Sequence, residues 1–263
     1  MYNIYISFIM LSSFANKYYP INQSPTQRLG HSASIIQNKW RSHKIFQCFK
    51  TILKMSYFKN EAAISGAVHN IARHEDSIAN VLKQYSYKPF KIPSHIKTNE
   101  ILKWNNNPEL ATVIPIGSYI EQPCGSHNSP DFIIKVSNKQ VIFLEAKSSK
   151  STFPLYNSGG VKQNYIYVFC SEKTNQTTIY KGSSIIDYKQ QGLINEHIRI
   201  CRKADEELNA KLKQLDINNR GICYYTRPMI NQSGGKFYTN YFEHKYKKKS
   251  ELHALNWIKN IGK

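Results

Sequence analysis

Hydrophobic and polar positions divide the chain into blocks of different period. From Asn60 onward, Ile64, Val68, Ile71, Ile78, Val81 and Leu82 recur with mostly helical spacing. Asn60 is a natural N-cap there, and Glu61 falls in the first turn, where the helix dipole favours an acid. Pro89 and Pro93 mark a loop, "NEILKWNN" predicts a second, short helix, and "ATVIPIGSYI" reads as extended. Residues 131–147 then alternate as a hairpin turning at Ser137–Asn138–Lys139. "NYIYVFC" and "TTIY" predict two more strands of the same sheet. Residues 184–215 form a long polar helix with Gly192 as its weak point, "GICYYTRPM" a further strand, and "LHALNWIKNI" an amphipathic close after "HKYKKK". The expected fold class is α/β (α+β), a central mixed β-sheet flanked by helices.

The first block fits none of these patterns. Residues 1–60 contain no Asp or Glu and eight Lys or Arg, and show no sustained periodicity. A transit peptide, a nucleic-acid-binding arm, or codons read ahead of a start at Met55 all have this composition. The last is favoured, because helical patterning begins just after Met55. The expected organisation is thus a basic leader over 1–54, disordered or foreign to the native protein, and one domain over 55–263 with its core at about 112–182.

Charge adds a partner. Lys and Arg outnumber Asp and Glu by 36 to 17, a formal charge of +19, which points to a polyanion and most often to nucleic acid. The five cysteines are scattered, without a CxxC or a zinc-ligand spacing to His, so reduced thiols in an intracellular protein are expected. "IYISFIM" is too short to span a bilayer and lacks the basic n-region and cleavage site of a secretory signal, so no membrane association is expected.

Within the hairpin, Asp131, Glu145 and Lys147 are out of place. Glu145 and Lys147 lie two residues apart and emerge on one face of a strand whose "VIFL" run marks it as central. Buried charges are costly there unless they are paired or bound. Asp131 opens the neighbouring strand and can approach the same face. Two carboxylates, a backbone carbonyl and waters make an oxygen shell suited to Mg²⁺, and Lys147 can hold an attacking water or offset developing charge. The chemistry this suits is hydrolysis of a phosphodiester. The bland reading is a turn aspartate and a frayed strand end.

The stretch "SPDFIIKVSNKQVIFLEAKSS" resembles the PD-(D/E)xK nuclease superfamily, above all its type II restriction endonucleases. Asp131, Glu145 and Lys147 match its Asp, acid and Lys, and Ala146 falls where a backbone carbonyl usually completes the metal shell. The resemblance extends through "QPCGSHNSPDF" and "KSSKSTFPLYNSGGVKQNYIYVF", about residues 118–170. It implies a restriction-endonuclease-like core, a Mg²⁺ cofactor, double-stranded DNA as substrate, a homodimer for cutting a short palindrome, and a cognate DNA methyltransferase acting on the same site. It also implies an acid on the helix before the core, with Glu61 the first candidate and Glu75 behind it. His69 and His74 read as surface residues.

Loops around the catalytic strand supply candidates for DNA contact: Ser126, His127 and Asn128 before Asp131, then Lys150, Asn157 and Lys162, and Arg227 in "YYTRPM". The expected function is that of a Mg²⁺-dependent type II restriction endonuclease. A repair, recombination or RNA nuclease on the same core, and a non-catalytic basic nucleic-acid binder, are the alternatives.

Overall fold

The computed structural model describes residues 25–56, 74–125, 128–157, 160–231 and 239–260. Six strands form a mixed sheet in the order β1-β2-β3-β4-β6-β7. They are β1 (Lys88–Pro89), β2 (Ser118–Glu121), β3 (Phe132–Ser137), β4 (Gln140–Ser149), β6 (Ile166–Ser171) and β7 (Gln176–Lys181). β1 pairs with β2 in parallel, β2–β3 and β3–β4 are antiparallel pairs, β6 joins β4 in parallel, and β7 returns antiparallel on β6. A two-residue pairing of β5 (Leu155–Tyr156) with β8 (Ile230–Asn231) lies apart from this sheet. The helices are α1 (Pro25–Ile52), α2 (His74–Gln84), α3 (Thr98–Lys103), α4 (Tyr188–Leu215) and α5 (Lys247–Asn260). The expected mixed sheet with flanking helices is therefore present.

Strand alternation builds two different cores. Phe132, Ile134, Ile142, Leu144, Ala146, Ile166 and Val168 face an aliphatic layer completed by α1, α2 and α5. Ile133, Phe143, Tyr167, Phe169 and Tyr180 face an aromatic layer that includes Trp104, Tyr156, Tyr165 and Tyr241. In that second layer the Tyr156 hydroxyl lies 2.9 Å from those of Tyr180 and Tyr241, so the phenols satisfy one another inside the apolar layer. Lys135 is buried on this side too, and its ammonium donates to the carbonyls of Pro108, Ala111 and Asn138.

The leader boundary needs correction. Residues 25–52 form a helix, and Ile45, Cys48, Phe49 and Ile52, at i, i+3, i+4 and i+7, are completely buried against α5, α2 and the sheet. The Met55 carbonyl, at the supposed start, accepts a hydrogen bond from Thr177 Oγ1 in β7 (2.8 Å). A cut at residue 54 would thus pass through the core. The four apolar positions occupy only the last turns of a long polar helix, so the helical period was diluted upstream.

Two other expectations change. Of "ATVIPIGSYI" only Ser118–Glu121 pairs as a strand; residues 111–117 turn, ending at Gly117, whose φ of 79° glycine adopts freely. "GICYYTRPM" forms no strand before Ile230. It runs along α4, where Asn209 both donates to the Tyr224 carbonyl and accepts from its N–H, and Asp205 accepts from the N–H and hydroxyl of Thr226. Helix side chains take the place of a neighbouring strand. α4 itself continues unbroken through Gly192 behind a capping box made by Asp187 and Gln190. The expected helix from Asn60 is described only from His74 onward, where Ile78, Val81 and Leu82 are buried.

Candidate active site

The β3–β4 register pairs Phe132 with Leu144, which sets Asp131, one residue earlier, across from Glu145. Asp131 has left the ladder, and its Oδ2 accepts the Ala146 N–H at 2.8 Å. A strand residue presents its N–H and C=O to the same edge, so the Ala146 carbonyl also looks towards Asp131. Glu145 is 3% exposed, and its Oε1 accepts a 2.7 Å hydrogen bond from the Lys147 ammonium. Its other oxygen, Oε2, is buried without a hydrogen-bond partner.

That oxygen carries a physical argument. A buried carboxylate with one oxygen unpaired forfeits ~1–3 kcal/mol or more of solvation, which nothing in the protein returns. The pocket of about 350 Å³ beside it is lined by Asp131, Glu145, the backbone of Ala146, Lys147 and Glu75 of α2, a strongly oxygen-rich wall. Burial and the nearby Glu145 charge push the Asp131 carboxyl up to about 7, with Glu75 adding to the rise, while the Ala146 N–H and Lys147 oppose it. Acidic groups are thus crowded where a cation would relieve them. Among the described residues no group of three or more His, Cys, Asp or Glu side chains is gathered tightly enough to enclose a metal. Two carboxylates and a carbonyl would suit a hard cation that keeps several of its waters, such as Mg²⁺.

The remaining predicted residues divide into three groups. Asn128, Asn157 and Arg227 line the same pocket. Arg227 Nε donates to the Asn157 carbonyl at 3.1 Å, so the segment after α4 forms one wall. The Asn128 amide donates to the Cys124 carbonyl at 2.8 Å, which fixes its orientation. Lys162 stands farther back, half-buried. Burial and Arg202 of α4 lower its ammonium pKa, while the Glu145 charge raises it. Lys150 is exposed and does not line the pocket. Ser126, His127, Glu61 and His69 lie outside the described residues. Glu75, the second candidate for the helix acid, lines the pocket.

His74 is not a surface residue. Its ring lies 3.4 Å from the Val168 carbonyl in β6, and burial lowers its pKa to about 4, so it is neutral at physiological pH. Arg202, whose charge acts on Lys162, was not singled out in the sequence: it lies 55 residues beyond Lys147 and no local pattern ties the two together.

Comparison with known proteins adds no relative: no family model matches the chain, and no curated protein or solved structure shows significant similarity to it. The site rests on its own geometry. Among the described residues no helix is long and apolar enough to cross a membrane.

Proposed function

We propose that this chain is a Mg²⁺-dependent endonuclease that hydrolyses phosphodiester bonds in double-stranded DNA at a short specific sequence, in the manner of a type II restriction enzyme. The observation that carries the reading is the unpartnered Oε2 of buried Glu145, beside Asp131 and Lys147 in one pocket. The net charge of +19 supplies attraction for a polyanion. Antiparallel β2–β3–β4 with β6 added in parallel is compatible with a restriction-endonuclease-like core.

In this reading Asp131, Glu145 and the Ala146 carbonyl would hold the cation, and Glu75 would lend negative charge from α2. Mg²⁺ bound there would neutralise the scissile phosphate and lower the pKa of a coordinated water. Lys147, oriented by Glu145, positions the attacking water and offsets negative charge as the bond breaks. Arg227 and Asn157, on the opposite wall, hold the sugar-phosphate backbone, with Lys162 and Arg202 adding positive charge behind them. Asn128, in the same pocket, is the candidate for contact with a base edge. Cutting both strands calls for two such sites and hence a homodimer. A methyltransferase modifying the same sequence would protect the host DNA.

Incubating purified protein with unmethylated phage DNA, with Mg²⁺ or with EDTA, tests this directly. Discrete fragments only with Mg²⁺ are expected. A metal-dependent smear would retain the nuclease and remove its sequence specificity. Cleavage unaffected by EDTA would overturn the metal site.

A further inference from the structure

α4 is a 28-residue helix, about 42 Å long, with no buried residue. Its half-buried stripe, Ile194, Ile198, Cys201, Asp205 and Leu212, is the side that meets the rest of the chain. About 100° around the helix runs a second stripe, Leu193, Ile200, Ala204, Leu208 and Leu215, all exposed. At ~100° per residue these five positions fall within ~80° of arc, so they form one face. The exposures of Leu193, Ile200, Leu208 and Leu215 are 73%, 53%, 41% and 75%. Together they leave on the order of 400 Å² of apolar side chain in water, comparable to the largest patch on an ordinary monomer, which is often functional.

The spacing of this stripe is symmetric. Leu193 and Leu215 stand equally far on either side of Ala204, and so do Ile200 and Leu208. We infer that the stripe is an isologous interface: a second copy of this chain packs its own α4 antiparallel on the first, with the two-fold axis at Ala204. That arrangement sets Leu193 against the other copy's Leu215 and Ile200 against its Leu208, and two alanines let the helices approach closely at the axis.

Charge agrees with this occupant. In the same arrangement Lys203 of one copy meets Glu207 of the other, twice by symmetry, and Glu196 comes beside Lys211. Across its whole length α4 has six basic and four acidic residues, so both signs are present for pairing between two copies. The inference does not depend on the nuclease reading, because it rests on residues outside the pocket and is tested without DNA or metal.

Sedimentation of the full chain in EDTA, from about 1 to 100 µM, is the test. The wild type is expected to sediment as a dimer over most of that range. Ile200→Lys with Leu208→Lys is expected to sediment as a monomer while keeping the wild-type far-UV circular dichroism spectrum, since both positions are exposed. A monomeric wild type would assign the stripe to some other partner and overturn the inference. A dimer indifferent to both lysines would overturn its location. Ala204→Cys, in a background with Cys201 and Cys223 changed to serine, adds an independent readout. Oxidation is expected to link it to itself in high yield, because residues on a two-fold axis between close helices come within disulfide reach. An intact dimer that does not cross-link would exclude the axis at Ala204.

Discussion

The β3–β4 hairpin and the α4 arm break opposite rules of burial. The hairpin takes Glu145 and Lys147 into the sheet, with Glu145 only 3% exposed and one of its oxygens unpaired. The arm leaves Leu193 and Leu215 about three-quarters exposed on a helix with no fully buried residue. Each is unfavourable in an isolated chain, and each becomes favourable with a missing partner of the opposite character. A buried unpaired acid is completed by a cation, and an apolar stripe in water by another apolar surface. Both proposals therefore start from departures from the rules of folding rather than from their fulfilment.

The comparison assumes a rigid frame behind the hairpin, and the largest expected effect removes that frame. Deleting residues 1–54 should abolish cooperative thermal unfolding, because it strips Ile45, Cys48, Phe49 and Ile52 from the aliphatic core. Phe49→Ala alone should cost ~3–5 kcal/mol in chemical denaturation. A truncated chain with a wild-type melting curve would show that α1 is dispensable.

Next in size are changes to the charges themselves. Lys147→Ala should lower cleavage by at least ~10²-fold while DNA affinity stays near wild type, since one cation among many is lost. A gel-shift assay beside a cleavage assay separates the two effects. Glu145→Gln should cancel the rise in melting temperature that millimolar Mg²⁺ gives the wild type, because a cation bound only by the folded chain stabilises it by mass action. An equal Mg²⁺ shift in wild type and variant would place the ion elsewhere.

The smallest effect concerns pH. The Asp131 carboxyl is raised from its ordinary 3.8 to about 7 by burial and by Glu145. The folded chain therefore keeps a proton that the unfolded chain gives up near pH 4. Without metal, this group's contribution makes the protein less stable as pH rises from about 4 to 7. Asp131→Asn should remove that slope in melts recorded in EDTA. Mg²⁺, which favours the ionised form, should stabilise the wild type more at pH 8 than at pH 5.

Legibility in the sequence followed the range of the interactions. The hairpin was readable because its alternation, its turn and its three charged residues all lie within 17 positions, Asp131 to Lys147. A strand register then determines which side chains meet. The packed end of α1 was hidden because its four apolar residues close a long polar helix, and the acid-free composition describes charge rather than packing. Residues 221–229 have a strand's aromatic composition, yet Asn209 and Asp205 of α4 supply the hydrogen bonds that a strand would have given. Arg202 comes near Lys162 only through the tertiary fold, whereas Glu75, already a candidate for the helix acid, lines the pocket.

The central claim is that Asp131, Glu145 and Lys147 act as one hydrolytic centre. Its most direct test is the cleavage rate of unmethylated phage DNA in Mg²⁺ by the wild type, Asp131→Asn, Glu145→Gln and Lys147→Ala, each shown to be folded and to bind DNA. The expected result is discrete fragments from the wild type and none from any of the three variants. Intact DNA with the wild type, or fragments from a variant at near wild-type rate, would contradict the account.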